Sequence, residues 1–159
     1  WPRWLASGYE QDRAQPPRRQ GGQVTPRPRA DDLVDSTEVL ARVQRGSGTI
    51  IDARAPERYR GEVEPIDRVA GHIPTARNRF FKSNLNADLT LRPAAELRAE
   101  FEPLLGSSAP GDVIHHCGSG ITACANLLAM EHAGLSGSKL YVGSWSEWIA
   151  DPSRPVARG

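Results

Sequence analysis

One stretch of this 159-residue chain combines residue types that can do covalent chemistry: His115-His116-Cys117-Gly118-Ser119-Gly120-Ile121-Thr122-Ala123. The residues from Asp112 to His116 read as a strand that enters Cys117, and those from about Thr122 to Ala133 read as a helix. Gly118 and Gly120 let the backbone curl into a tight loop, so that N–H groups and the N-terminus of the following helix can favour a thiolate. A cysteine in that setting has a lowered pKa and acts as a nucleophile. A cysteine kept only for packing needs no flanking glycines. Cys124, the second of the two cysteines, lies inside the helix between Ala123 and Ala125 and is expected to be a small core residue.

Other cysteine chemistries fit less well. Phosphate-transferring cysteine loops place an Arg six residues after the nucleophile, because a bidentate guanidinium is needed to hold phosphate. Here that position is Ala123. His115, His116 and Cys117 are consecutive on one strand, where neighbouring side chains face opposite ways, so they cannot converge on a metal ion. Two cysteines are too few for a disulfide framework. No metal and no cofactor is implied.

The elements that must position Cys117 alternate along the chain. Ala30 to Val34 is expected to be a short strand. Ser36 is expected to cap a helix through Arg45, with Val39, Leu40 and Val43 on one face and Gly46 as its stop. Thr49-Ile50-Ile51-Asp52 reads as a buried strand, and a Gly- and Pro-rich loop runs from Ala55 to Pro74. Pro93 opens a helix through Leu105, with Leu97, Phe101, Leu104 and Leu105 turned inward. Lys139 to Val142 is the last strand, and Ser144 is expected to cap a short helix containing Trp145 and Trp148. Strands alternating with helices predict an α/β domain with a central, mostly parallel sheet and helices on both faces. Ligands of such sheets sit beyond the C-terminal ends of the strands, where Cys117 falls.

Composition limits the partners. The net charge is +1, and 38% of residues are hydrophobic, as in an ordinary soluble domain. Residues 1–30 carry six Arg against Glu10 and Asp12, which leaves the remainder mildly acidic. No basic stripe interleaved with aromatics occurs, so nucleic acid is not expected as a partner. No apolar run approaches the ~18 residues of a membrane span. The low cysteine content suits a reducing compartment, and a cytoplasmic location is expected. Position 1 is Trp and the single Met is Met130, so a longer encoded chain is expected. Residues 1–29 read as the tail of a preceding domain, with a patch of Trp1, Trp4, Leu5 and Tyr9. A Pro-, Gly- and Arg-rich connector around Gln15-Pro16-Pro17-Arg18-Arg19-Gln20-Gly21-Gly22 follows. Residues 30–159 read as the catalytic domain.

Three groups of segments, in order, carry a family resemblance. The first is Ile51-Asp52-Ala53-Arg54 with Arg58-Tyr59-Arg60-Gly61 and Glu64-Pro65. The second is Gly71-His72-Ile73-Pro74 with Asn78. The third is the Cys117-to-Ala123 loop with Leu140-Tyr141-Val142-Gly143-Ser144-Trp145-Ser146-Glu147-Trp148. Over about residues 30 to 155 the chain resembles the rhodanese-type sulfurtransferases, specifically the C-terminal half of their two-domain members. The resemblance implies a rhodanese-like fold. It implies that Cys117 takes sulfur from a small-molecule donor as a persulfide and gives it to a thiophilic acceptor such as cyanide or a thiol. It implies a missing N-terminal rhodanese-like domain that covers the site. The Cys-Gly-Ser-Gly-x-Thr loop is the form seen in members that prefer 3-mercaptopyruvate, whereas those that prefer thiosulfate have basic residues there. The uncharged Gly118 and Ser119 agree, because thiosulfate is a dianion and mercaptopyruvate a monoanion that one remote Arg can hold. By the same resemblance Cys117 and Ser119 are catalytic, and Gly118, Gly120, Ile121 and Thr122 complete the loop. Arg58 is the substrate-binding arginine, and Thr122 is expected to cap the following helix and brace the loop. The mercaptopyruvate enzymes often carry a second arginine shortly after Glu-Pro. Here Ile66 and Asp67 follow Pro65, and Arg68 is expected to substitute. Thr75 replaces the usual Gly after Gly-His-Ile-Pro, and His72 is expected to anchor its loop. The competing reading is a non-catalytic binding or sulfur-carrier module of the same fold, against which the retained cysteine and glycine loop argue.

Overall fold

The computed structural model describes residues 2–17, 21–27 and 30–159. Trp1 of the expected apolar patch, and residues 18–20 and 28–29 of the expected connector, lie outside the described residues. A short helix α1 (Pro2–Ala6) opens the chain. Then follow β1 (Leu33–Val34), α2 (Ser36–Arg45), β2 (Thr49–Asp52), α3 (Pro56–Tyr59), β3 (Arg77–Asn78), α4 (Ala94–Leu105), β4 (Val113–His116), α5 (Ala123–His132), β5 (Lys139–Tyr141) and α6 (Ser144–Trp148). The five strands form one sheet in the order β1-β5-β4-β2-β3, and every pairing is parallel. This is the α/β architecture that the alternation of strands and helices predicts.

The sheet separates two apolar layers, and strand periodicity divides them. Ile50 and Ile114 face one way, against Val39 of α2 and Trp145 and Trp148 of α6. Their neighbours Ile51 and Val113 face the other way, against Leu97, Phe101 and Leu105 of α4 and Ala129 and Met130 of α5. The central strands β2 and β4 are buried along their whole length, as a parallel sheet covered on both faces requires. Fully burying each large side chain in these layers contributes about 1.5–3 kcal/mol.

Several local expectations shift. The cap of α2 is Asp35, whose Oδ1 accepts the Glu38 N–H at 2.9 Å, and Ser36 is the first helical residue. Gly46 ends the helix in the left-handed conformation, as expected. A 3-10 turn at Ala30–Asp32 replaces most of the first expected strand. The loop from Ala55 to Pro74 contains α3, with Pro56 at its first position, and β3 extends the sheet beyond what the sequence pattern shows. Thr75 has φ 68° at an exposed turn, the conformation a glycine would adopt without strain. His72 anchors its loop: Nδ1–H donates to Tyr59 O at 2.8 Å, and its ring stacks on Tyr59 with centroids 3.9 Å apart. Among the described residues no helix is long and apolar enough to cross a membrane.

Candidate active site

Cys117 follows β4 directly and lies at the C-terminal edge of the sheet, 2% exposed. Its loop is held by the start of α6. The Cys117 N–H donates to Ser144 Oγ at 3.1 Å, and Ser144 Oγ donates to Tyr141 O at 2.9 Å. Cys117 O accepts the Trp145 N–H at 3.0 Å, and Gly118 O accepts the Ser146 N–H at 2.9 Å. The first amides of a helix have no partner within the helix, so the loop carbonyls and α6 satisfy one another. Ser144 adopts φ 53° to make this junction, a strained choice for a residue with a side chain. Gly120 has φ +86°, and a Cβ there would stand 2.5 Å from Val142 O, so the loop closes against the residue that follows β5 only with glycine.

A cavity of about 250 Å³ opens over the thiol, lined by Arg58, Ile66, Asp67, Cys117, Gly118, Ser119, Ile121, Thr122 and Ser146. The structure therefore brings together Cys117, Ser119, Gly118, Ile121, Thr122 and Arg58, and Gly120 shapes the loop from behind. A Cβ on Gly118 would lie 3.6 Å from both terminal nitrogens of Arg58, which places the guanidinium against the loop. Thr122 makes no side-chain capping bond to α5, so the cap expected of it is absent. Arg68 does not reach this cavity. It donates through Nη2 to Ile149 O at 3.0 Å and lines a separate cavity with Val69, Pro152 and Arg154. Cys124 is exposed, because the buried positions of α5 are Ala123, Asn126, Ala129 and Met130 and their face excludes residue 124.

The two histidines divide as strand geometry requires. His115 turns to the α5 layer, with Nε2 3.1 Å from Met130 Sδ, and burial pushes its pKa down to about 3. His116 lies beneath the loop, where Nδ1–H donates to Cys117 O at 3.2 Å, and Nε2 stands 3.8 Å from Asp52 Oδ2. Burial holds the His116 imidazole neutral against the pull of Asp52. Neither ring lines the cavity.

A buried ion network runs from the sheet to the cavity. Arg54 Nη2 donates to Asp52 Oδ2 at 2.6 Å and to Gly71 O at 2.7 Å, and Arg54 Nη1 donates to Glu64 Oε2 at 3.3 Å. Glu64 Oε1 accepts from Arg58 Nη2 at 2.6 Å and from the N–H groups of Ile66 and Asp67, both at 3.2 Å. Arg58 Nη2 also reaches Asp67 Oδ2 at 3.3 Å. Burial opposes the charged form of Asp52, but the charge and hydrogen bonds of Arg54 outweigh it and hold the carboxyl below its ordinary value. Glu64 is likewise held low: burial raises it, and the Arg58 bond and two backbone N–H groups overcome that. Sequence reasoning missed Asp67, Ser144 and Ser146 as site residues. The quoted family segments contain Ser144 and Ser146, and the departure from the expected arginine pointed to Asp67.

The arrangement matches a known family. The rhodanese-like domain family matches residues 35–151. The chain is 43% identical over 98% of its length to a probable 3-mercaptopyruvate sulfurtransferase of Pseudomonas aeruginosa, of which it spans 55%. It is 44% identical over 81% of its length to the SseB protein of Mycobacterium tuberculosis, named for thiosulfate sulfur transfer, of which it spans 46%. The chain thus spans about half the length of the curated relatives it matches. Among solved structures, the Tum1 protein of Saccharomyces cerevisiae superposes with a TM-score of 0.70 at 30% identity, covering 80% of this chain and 47% of Tum1. An anaerobic ergothioneine biosynthesis enzyme of Chlorobium limicola superposes with a TM-score of 0.85 over 98% of this chain and 39% of that one, a likeness of fold at 23% identity. The extent of the family match and the identity to these relatives show that the chain belongs to the rhodanese-like domain family.

Proposed function

We propose that this domain transfers sulfur through a persulfide on Cys117, with 3-mercaptopyruvate as the donor and thiosulfate as the second choice. The observation that carries the reading is the nearly buried Cys117 at the floor of a cavity lined by Arg58 and Ser119. The Cys117 thiolate attacks the thiol sulfur of mercaptopyruvate. A sulfur–sulfur bond forms, the carbon–sulfur bond of the donor breaks, and its electron pair leaves as the enolate of pyruvate, which then takes a proton. Cyanide or an acceptor thiolate attacks the outer sulfur and returns Cys117 to the thiolate. Arg58 holds the donor carboxylate by charge-assisted hydrogen bonds. Ser119 supplies a hydroxyl beside the reacting sulfur. No metal or cofactor enters the scheme. The relatives' greater length supports a further proposal, that a second rhodanese-like domain covers the open cavity.

The test is incubation with 3-mercaptopyruvate followed by mass spectrometry of the Cys117 peptide. Gain of one sulfur atom supports the reading, and an unmodified Cys117 sinks it. Cys117→Ser should abolish transfer and Cys124→Ser should keep it. Full activity in Cys117→Ser would remove Cys117 from the mechanism.

A further inference from the structure

The Asp67 carboxylate lines the cavity with only 9% of its side chain exposed. Its Oδ2 lies 3.3 Å from Arg58 Nη2, and its Oδ1 lies 2.7 Å from Ser146 Oγ. Ser146 Oγ is also 2.9 Å from Gly118 O but has one proton to give. Gly118 O already accepts the Ser146 N–H, so the proton goes to the ionised Asp67, the stronger acceptor. Asp67 thereby joins the cavity's guanidinium to the residue that braces the cysteine loop.

We propose that Asp67 is a specificity-determining residue for the sulfur donor, admitting donors that carry one negative charge and turning away dianions. The proposal rests on the sulfur-transfer reading above. Arg58 and Asp67 are the two charged residues among those lining the cavity. Glu64 also binds Arg58, at 2.6 Å, and is shared with Arg54, so two cations, Arg54 and Arg58, face three carboxylates, Asp52, Glu64 and Asp67, before Cys117 ionises. Repulsion from Asp67 scales with the charge on the donor, and a half-enclosed site screens it less than open water does. A dianion such as thiosulfate therefore meets about twice the repulsion met by mercaptopyruvate.

Asp67→Asn removes the charge while keeping the size and an oxygen that can accept from Ser146. The measurement is kcat/KM for each donor at fixed ionic strength, with Cys117 persulfide followed by mass spectrometry. Asp67→Asn should raise the thiosulfate-to-mercaptopyruvate ratio about ten-fold, mainly through KM, which is the size expected of one extra unit charge a few ångströms away. Asp67→Glu, which keeps the charge, should leave the ratio low. Ser146→Ala should slow both donors alike. An unchanged or lowered ratio in folded Asp67→Asn overturns the proposal. A readout independent of turnover is protection of Cys117 from iodoacetamide by sulfate, a dianion, and by pyruvate, a monoanion. Protection by sulfate should gain about ten-fold over protection by pyruvate in Asp67→Asn. If no persulfide forms in the unaltered protein but this gain occurs, the sulfur-transfer reading fails and the charge selection at Asp67 stands. If neither occurs, both fail.

Discussion

Arg54→Met removes the cation at the centre of the buried ion network. The Arg54 side chain is 1% exposed and that of its partner Asp52 is 0% exposed, so the carboxylate left behind cannot be rescued by water. The Arg54 side chain makes three contacts with Asp52, at 2.6, 3.0 and 3.1 Å, and one each with Glu64 and Gly71 O. Removing one partner of a buried pair costs about 3–5 kcal/mol. That is a large share of the roughly 5–15 kcal/mol that holds a domain folded. The assay is urea unfolding followed by the fluorescence of the buried Trp145 and Trp148, at pH 7 and pH 5. In the intact protein the Asp52 carboxyl is held below its ordinary value. Its stabilising contribution is therefore fully present above the unfolded pKa of about 3.9 and is lost as pH falls through the lower folded value. In Arg54→Met the order reverses, because burial without Arg54 raises the folded pKa. The variant should then gain stability as pH falls, and its deficit should be smaller at pH 5 than at pH 7. Adding Asp52→Leu should recover much of the loss, since the unpaired charge goes with it. A deficit below about 1 kcal/mol at pH 7, or an equal deficit at both pH values, would refute the reasoning.

Gly120→Ala should cost at least about 2 kcal/mol in urea unfolding and slow Cys117 persulfide formation about ten-fold or more, because the left-handed backbone and the Val142 carbonyl both resist a Cβ. Thr75→Gly should stabilise the domain by about 0.5–1 kcal/mol, raising the Tm by roughly 1–4 °C, and leave the alkylation rate of Cys117 unchanged. A lower Tm in that variant would show that Thr75 makes compensating contacts.

What could be read from the sequence followed from local pattern. The β-branched run at Thr49–Asp52, the glycines around Ser119 and the Gly46 stop each encode their own geometry, and the sheet order conforms to them. The site residues that escaped depend on contacts distant in the chain. Ser144 reads locally as a helix cap, but the cap position of α6 is Gly143, and the Ser144 hydroxyl instead accepts the Cys117 N–H from 27 residues away, a bond that no local pattern encodes. The expectation for Arg68 failed on register. Glu64 accepts the N–H groups of Ile66 and Asp67, which tightens the turn and leaves Asp67 lining the cavity while Arg68 lies elsewhere. Cys124 was misplaced because two flanking alanines look like core, whereas the phase of α5 is set by Asn126, whose Nδ2 donates to Arg79 O at 2.9 Å. Ser36 and Asp35 are both good caps, and only the backbone conformation decides between them.

The last strand made is not at the edge of the sheet. β5 lies between β1 and β4, and the amides that satisfy the loop carbonyls come from residues just beyond it. A nascent chain therefore synthesises Cys117 well before it has made the partners that enclose it. Until residues 139–149 have emerged, β1 has no neighbour in the sheet and the carbonyls of the cysteine loop have no partners. Such late, distant pairings slow folding and prolong exposure of unfinished surfaces. In the cell the interval between making Cys117 and docking Trp145 is when this thiol is most open to oxidation, so the order of translation makes it one of the last groups to be sheltered.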